Sequence, residues 1–373
     1  MKSGSVPFLT GTAVAMIVFC VTAPWLQPAL AQAAGPLKVA HVFDASERAT
    51  IQDFAVYKDR LYILASDYIM DGPPFEVCVY DPETKSAASV FGPREIGSIE
   101  EGGYRMNVLK DRLCVMGADT SVFTGDGKAC RYYRFDGEQW DFRDLHLKSG
   151  EAGAWGLHLL CIAEYKDKLY ATIGTIDRRG AVWESDDEEA GWRVSYKTVV
   201  FPRDFPRMFE MIVFNDKLYA SGRAQRLPDI IVDLWEFDGT KWRELDLVKG
   251  ATFVWRFGSF KKHLFLSAYT ESGPVVYRFD GKKLIRMKEF KDIVNGFAEL
   301  DGKCYAIDSA GTLWQSTSGT SWTVALRLPK EEFVGKTDVH QRGDLMRGAL
   351  MEYKGSLFVG SAVNGKVFVL DKN

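Results

Sequence analysis

The chain has 373 residues, a formal net charge of −3, 13% aromatic residues and 34 glycines. That balance excludes a basic surface built for nucleic acid. Beyond residue 33 five cysteines remain, an odd number with no CxxC pair, which argues against a disulfide framework or a zinc site.

Residues 1–33 read as a cleaved secretory signal. Lys2 gives a positive start, residues 6–21 are apolar and uncharged, and Pro24 and Pro28 break the run. Ala29-Leu30-Ala31-Gln32-Ala33 then offers small-residue cleavage sites. The apolar run falls short of the ~20 residues of a spanning helix, so a retained membrane anchor is the weaker reading. The expected mature protein is a single domain over 34–373, a monomer, periplasmic or secreted, with no membrane attachment and no nucleic-acid partner. Its charge is close to −4 once Lys2 is discounted from the net −3. Of its cysteines, Cys114 and Cys130 are the first choice for a bridge, and the rest read as small buried strand residues.

From residue 50 onward one unit recurs. A strand ends in a tight turn (Lys58-Asp59, Lys110-Asp111, Lys166-Asp167, Asn215-Asp216, Lys261-Lys262, Asp301-Gly302, Lys354-Gly355). A second strand follows, anchored at Leu61-Tyr62, Leu113-Cys114, Leu169-Tyr170, Leu218-Tyr219, Leu264-Phe265, Cys304-Tyr305 and Leu357-Phe358. The anchors are spaced 40 to 56 residues apart. A third strand and a second turn come next, then a fourth strand starting near Trp140, Trp192, Trp242, Trp322 or, in one unit, Leu284. Units of this length with about four strands are β-propeller blades. The last unit runs out of chain after its third strand, and residues 37–43, LKVAHVF, can supply the fourth. The expected fold is therefore all-β, a seven-bladed β-propeller closed by an N-terminal strand, which leaves no open edge.

The segments VYDPETKSA (79–87), RFDGEQW (134–140) and EFDGTKW (236–242) resemble the aromatic-Asp-turn-Trp half of kelch repeats. KDRLYIL and NDKLYASG resemble the strand that leads into the kelch double glycine, whose place Ala65-Ser66, Gly117-Ala118 and Ser221-Gly222 take here. The resemblance, to kelch-like and galactose-oxidase-like propellers, implies a fold and not an activity, because such propellers serve as scaffolds, binders and enzymes.

Loops entering the innermost strand and loops between the second and third strands share one face, where a ligand is expected. Eight positions before each anchor stand Asp53, Arg105, Cys161, Glu210, Arg256, Gly296 and Ala349. With their neighbours they give the candidate ligand set: Tyr104, Arg105, His158, Arg207, Glu210, Trp255, Arg256 and Arg347. Arginine forks beside aromatic faces suit an anionic or sugar-like ligand. In the competing reading the aromatics are packing core and the charges pair across the channel. No metal or cofactor is expected: Asp338-Val339-His340 is a lone pair of ligand types, and Asp126-Gly127 lacks a calcium ladder. No G-x-S-x-G, H-E-x-x-H or phosphate loop occurs. Residues 185–192 and 316–322 resemble the sialidase Asp-box, itself a structural turn. The sequence thus favours an exported, non-catalytic module binding a glycan or protein at the loop face. The alternatives are a sialidase-like hydrolase or uronic-acid lyase gripping a carboxylate with Arg105, Arg207 and Arg256, and an envelope assembly scaffold.

Overall fold

The recurring two-residue turns set the architecture. Lys58 and Asp59 adopt φ of 46° and 59°, and Lys110-Asp111, Lys166-Asp167 and Asn215-Asp216 do the same. Two successive left-handed residues match the right-handed twist of the strands they join, so each pair folds the chain directly back on itself. The computed structural model describes residues 37–46, 50–66, 75–97, 100, 102–117, 130–149, 156–175, 179–198, 207–226, 229–245, 247–248, 251–270, 272–333 and 349–372. The signal segment, Asp126-Gly127, the Asp338/His340 pair and Arg347 lie outside these residues, as does the side chain of Trp255.

Among the described residues, all regular structure beyond three short 3-10 turns is strand. After β1 (Leu37–Asp44), the first sheet is β2 (Thr50–Tyr57), β3 (Arg60–Ser66), β4 (Phe75–Asp81) and β5 (Ser86–Phe91). The second is β6 (Gly103–Leu109), β7 (Arg112–Gly117), β8 (Arg131–Phe135) and β9 (Trp140–Asp144). There follow β10 (Gly156–Tyr165), β11 (Lys168–Thr175), β12 (Gly180–Ser185) and β13 (Arg193–Lys197), then β14 (Arg207–Phe214), β15 (Lys217–Arg226), β16 (Asp229–Phe237) and β17 (Trp242–Glu244). Next are β18 (Ala251–Phe260), β19 (His263–Thr270), β20 (Gly273–Phe279) and β21 (Leu284–Met287), and then β22 (Val294–Leu300), β23 (Lys303–Asp308), β24 (Thr312–Ser316) and β25 (Thr323–Arg327). The chain ends with β26 (Leu350–Tyr353), β27 (Ser356–Gly360) and β28 (Lys366–Lys372). Onto β28 pairs β1, antiparallel, from Leu37↔Lys372 to Asp44↔Lys366.

The expectation of seven separate blades is corrected. Hydrogen bonding makes five sheets of four strands and one sheet of eight, which spans β10 to β17. The join is the single pairing Gly174↔Arg207 between β11 and β14. Gly174 permits it, because a Cβ there would stand 3.0 Å from Arg207 Cγ. The fold is an all-β propeller of five discrete blades and one double-width sheet. Around its axis β2, β6, β10, β14, β18, β22 and β26 touch in turn, and β26 returns to β2.

Side chains between consecutive units form the core. Trp140 stacks on Phe135 of its own sheet at 5.0 Å and on Phe91 of the preceding one at 4.1 Å. Trp242 stacks on Phe237 at 4.9 Å in the same way. The aromatic-Asp-turn-Trp segments are thus interface devices. Tyrosines closing the inner strands reach across as well: Tyr57, Tyr165 and Tyr353 donate to the carbonyls of Asp111, Asp216 and Asp59 at 3.0, 2.6 and 2.9 Å. The Asp-box-like segments are turns, with Ser185 Oγ donating to Gly191 O at 2.8 Å and Ser316 Oγ accepting from Gly319 N–H at 2.8 Å.

The Cys114–Cys130 bridge is also corrected, since Cys78, Cys114, Cys130, Cys161 and Cys304 are all buried and none is disulfide-bonded. Cys114 pairs across the sheet with Arg134, four residues from Cys130, roughly 13 Å at strand rise. That is beyond disulfide reach. Burial pushes the Cys78 and Cys304 thiols up to about 12, which leaves them unreactive.

Candidate functional site

The inner strands share an irregularity that period-two reading misses. Six of the seven inner ladders, all but that of β26, slip at or just before the repeat position where the charged residues stand: between Ile51 and Asp53, Gly103 and Arg105, Leu159 and Cys161, Met208 and Met211, Val254 and Arg256, and Val294 and Gly296. One extra residue in a strand leaves it unpaired and re-aims its neighbours. Here the bulges turn backbone carbonyls inward. Arg256 Nε donates to Asn295 O at 2.6 Å and its Nη2 to Gln52 O at 3.4 Å.

Four charges of alternating sign meet at this level. Arg105 reaches Asp53 at 3.3 Å and is in direct contact with Glu210, while Arg256 lies 3.7 Å from both carboxylates. These side chains are only 4–14% exposed. The carboxylates are pinned further by main-chain donors, Met106 N–H to Asp53 at 3.1 Å and Phe257 N–H to Glu210 at 2.9 Å. Removing four charges from water costs several kcal/mol per ion, and the mutual pairing plus backbone hydrogen bonds offset it. The quartet is a self-neutralised strut across the axis. Opposite signs at one repeat position were the sequence signal for it. The bulges, and the carbonyls of Gln52 and Asn295, had none.

The remaining predicted residues fall into different places. Tyr104 is buried at a bulge. Cys161 stands at the level of the quartet, 2% exposed, with its thiol pushed up by burial against the opposing pull of Arg105. Gly296 and Ala349 occupy the same level because the strands close up: a Cβ on Gly296 would sit 2.8 Å from Leu350 N. At the loop end, half-buried Arg207 donates from Nη2 to His158 Nε2 at 2.8 Å. A guanidinium has no lone pair to offer, so His158 accepts there and is neutral, with its proton on Nδ1. Its role is to orient Arg207, whose Nε has no hydrogen-bond partner among the described residues.

Beneath the quartet lies a cavity of about 510 Å³ walled by the second halves of the inner strands. Its exposed lining residues, Val56, Val108, Ser259 and Glu299, all lie at the end carrying the two-residue turns. The cavity therefore opens on the face opposite the long loops, with the quartet as its floor. Among the described residues no group of three or more His, Cys, Asp or Glu stands in a metal-binding arrangement. No helix of the described residues is long and apolar enough to cross a membrane.

The architecture is shared with solved structures. Over 90% of its length this chain superposes on the extracellular domain of BT4673 from B. thetaiotaomicron with a TM-score of 0.57 and 10% identity, spanning 40% of that domain. The WD40 β-propeller domain of Doa1 matches with a TM-score of 0.54 and 12% identity, over 90% of this chain and 97% of that one. A chain of the mitotic checkpoint complex matches with a TM-score of 0.58 and 12% identity, over 96% and 98%. Identities this low show the β-propeller fold alone, without singling out kelch repeats. No family model and no curated protein matches the sequence.

Proposed function

We propose that the chain is an exported, non-catalytic binding module with kelch-like repeats, which takes a glycan or protein partner at its loop face. Residues 1–33 support delivery to the periplasm or the outside of the cell. The observation that carries the reading is the quartet. A hydrolase or lyase gripping a carboxylate with Arg105, Arg207 and Arg256 would need two arginines that Asp53 and Glu210 already hold. Neither acid is placed for proton transfer, since each is fixed by an arginine and a backbone N–H. Arg207, half-buried at the loop end and held by His158, is the arginine of the predicted grip that stands outside the quartet. It suits a sugar hydroxyl, a carboxylate or a main-chain carbonyl.

Thermal melts against a panel of acidic and neutral oligosaccharides test this. A ligand at about one hundred times its Kd adds roughly 2.7 kcal/mol to stability. The expected result is an upward shift with one class of sugar that Arg207→Ala abolishes and Arg105→Lys leaves intact. A shift unaffected by Arg207→Ala would remove the loop-end arginine from the site.

A further inference from the structure

The ring closes between the last unit and the first, and there the turn face departs from its own repeat. Elsewhere turn lysines tie one unit to the next: Lys58, Lys166 and Lys261 donate to the carbonyls of Asp136, Asp238 and Thr317 at 2.5, 3.1 and 2.7 Å. Gly137 and Gly239, at φ of 107° and 102°, follow two of those carbonyls, and a Cβ on either would collide with the lysine Nζ. Asp81 holds the same position in the first unit, but Pro82 follows it. Proline fixes φ at about −65°, so it cannot make that turn. The chain reverses one residue later, with Asp81↔Ser86 as the last pair instead of the level of Phe135↔Trp140. Lys354 of the last unit is diverted to the carboxylate of Asp59, at 3.0 Å. A cavity of about 430 Å³ is left between the two units, with Tyr353 and Lys354 on one side and Arg60, Tyr80 and Pro82 on the other.

Four charged side chains line this cavity, and three of them are engaged. Lys354 and Asp59 hold each other, and Asp81 turns into its own turn to accept from Glu83 N–H at 2.8 Å. Arg60, exposed at the mouth, makes no hydrogen bond or ion pair among the described residues. In three other units the basic residue just past the turn is paired: Arg112 with Glu188 at 3.6 Å, Lys168 with Asp186 at 2.9 Å and Lys217 with Glu236 at 2.9 Å. A monoanion entering the cavity therefore finds a cation to itself, and a planar carboxylate matches the guanidinium fork. A cation would meet only carboxylates already held, and a dianion would set its second charge against Asp59 and Asp81. The rest of the wall includes Val79, Pro82, Ala88 and the two tyrosine rings. We propose that this seam cavity binds a small monocarboxylic acid with a compact apolar body. Its carboxylate accepts from Arg60, and its body lies against Pro82 and Ala88. The volume falls within the range of small-molecule pockets. Because the walls come from the first and last units, the bound acid bridges the two ends of the ring.

Isothermal titration of the purified protein with benzoate, benzamide, benzylamine and glucuronate tests the assignment. Benzoate is expected to bind about tenfold or more tightly than benzamide, the value of a hydrogen bond between charged groups over a neutral one. Benzylamine should bind more weakly still, and glucuronate, which has the charge without the apolar body, should fall below benzoate. Arg60→Gln, at an exposed position, should bring benzoate down to the level of benzamide. Ala88→Trp, also at an exposed position, fills the cavity and should abolish benzoate binding without lowering the melting midpoint. Arg207→Ala should leave benzoate binding unchanged, because the loop-face site lies on the opposite face, and the failure of either site would leave the other standing. Equal binding of benzoate and benzamide, no binding of benzoate, or glucuronate as tight as benzoate would overturn the proposal. So would unchanged benzoate binding in Arg60→Gln or Ala88→Trp, or its loss in Arg207→Ala.

Discussion

Arg256 holds the axial network together: its guanidinium spans two carboxylates and two bulge carbonyls while almost wholly buried. Truncation would leave Asp53 and Glu210 sharing the single cation of Arg105. Arg256→Ala should therefore lower stability by roughly 3–5 kcal/mol, the cost of breaking a buried ion pair from one side, as read from the urea midpoint. A loss under about 1 kcal/mol would mean that water replaces the arginine freely. Glu236 provides a titration test at a second buried site. Burial opposes its ionisation, but hydrogen bonds from Lys217, Tyr219 and Arg243 prevail and hold its pKa below the ordinary 4.5. Its contribution is present in full above about pH 4.5 and is lost as pH falls through the lower folded value. The stability gap between the wild-type protein and Glu236→Gln should be constant from pH 6 to 8 and shrink below pH 4.5 in denaturation curves. A gap that widened in acid would reverse the sign of this assignment.

At the scale of strands and turns, the two-residue hairpins were legible because so few dipeptides accept two left-handed residues, and their recurrence marked every inner strand. The bulges were not. Adding one residue to a strand changes its partner without changing its composition, and Gln52 or Asn295 looks like any polar strand residue. Close approach was equally hidden. Gly258 reads as an unremarked strand glycine, yet a Cβ there would lie 2.3 Å from Phe297 Cγ. Phe297 stacks on Phe265 at 5.4 Å and cannot retreat without opening that contact. Gly258→Ala should cost about 1–3 kcal/mol by overpacking, and the partner change Phe297→Ala, which removes the Cγ and Cδ2 that stand nearest, should recover part of it in a double-mutant cycle. Additive losses from the two substitutions would show that the contact is relieved elsewhere.

For the molecule as a whole, the β-propeller is legible in the repeat, since strand, turn and anchor recur in one order along the chain. The number of separate sheets was beyond reach: one backbone approach at Gly174 fuses what spacing alone would divide. The charges of the axis were visible in the sequence, but their meaning depended on mutual distance. Residues that looked like a grip for an anion are a closed network, which leaves Arg207 as the arginine of the proposed loop-face site. Binding without turnover is tested by recovering the ligand. The purified protein would be incubated with whichever oligosaccharide shifts its melting midpoint, and the sugar then recovered and analysed by mass spectrometry. The expected result is an intact sugar, bound stoichiometrically and released unchanged on unfolding. A shortened chain, or a product lighter by one water from elimination, would show an enzyme and contradict it.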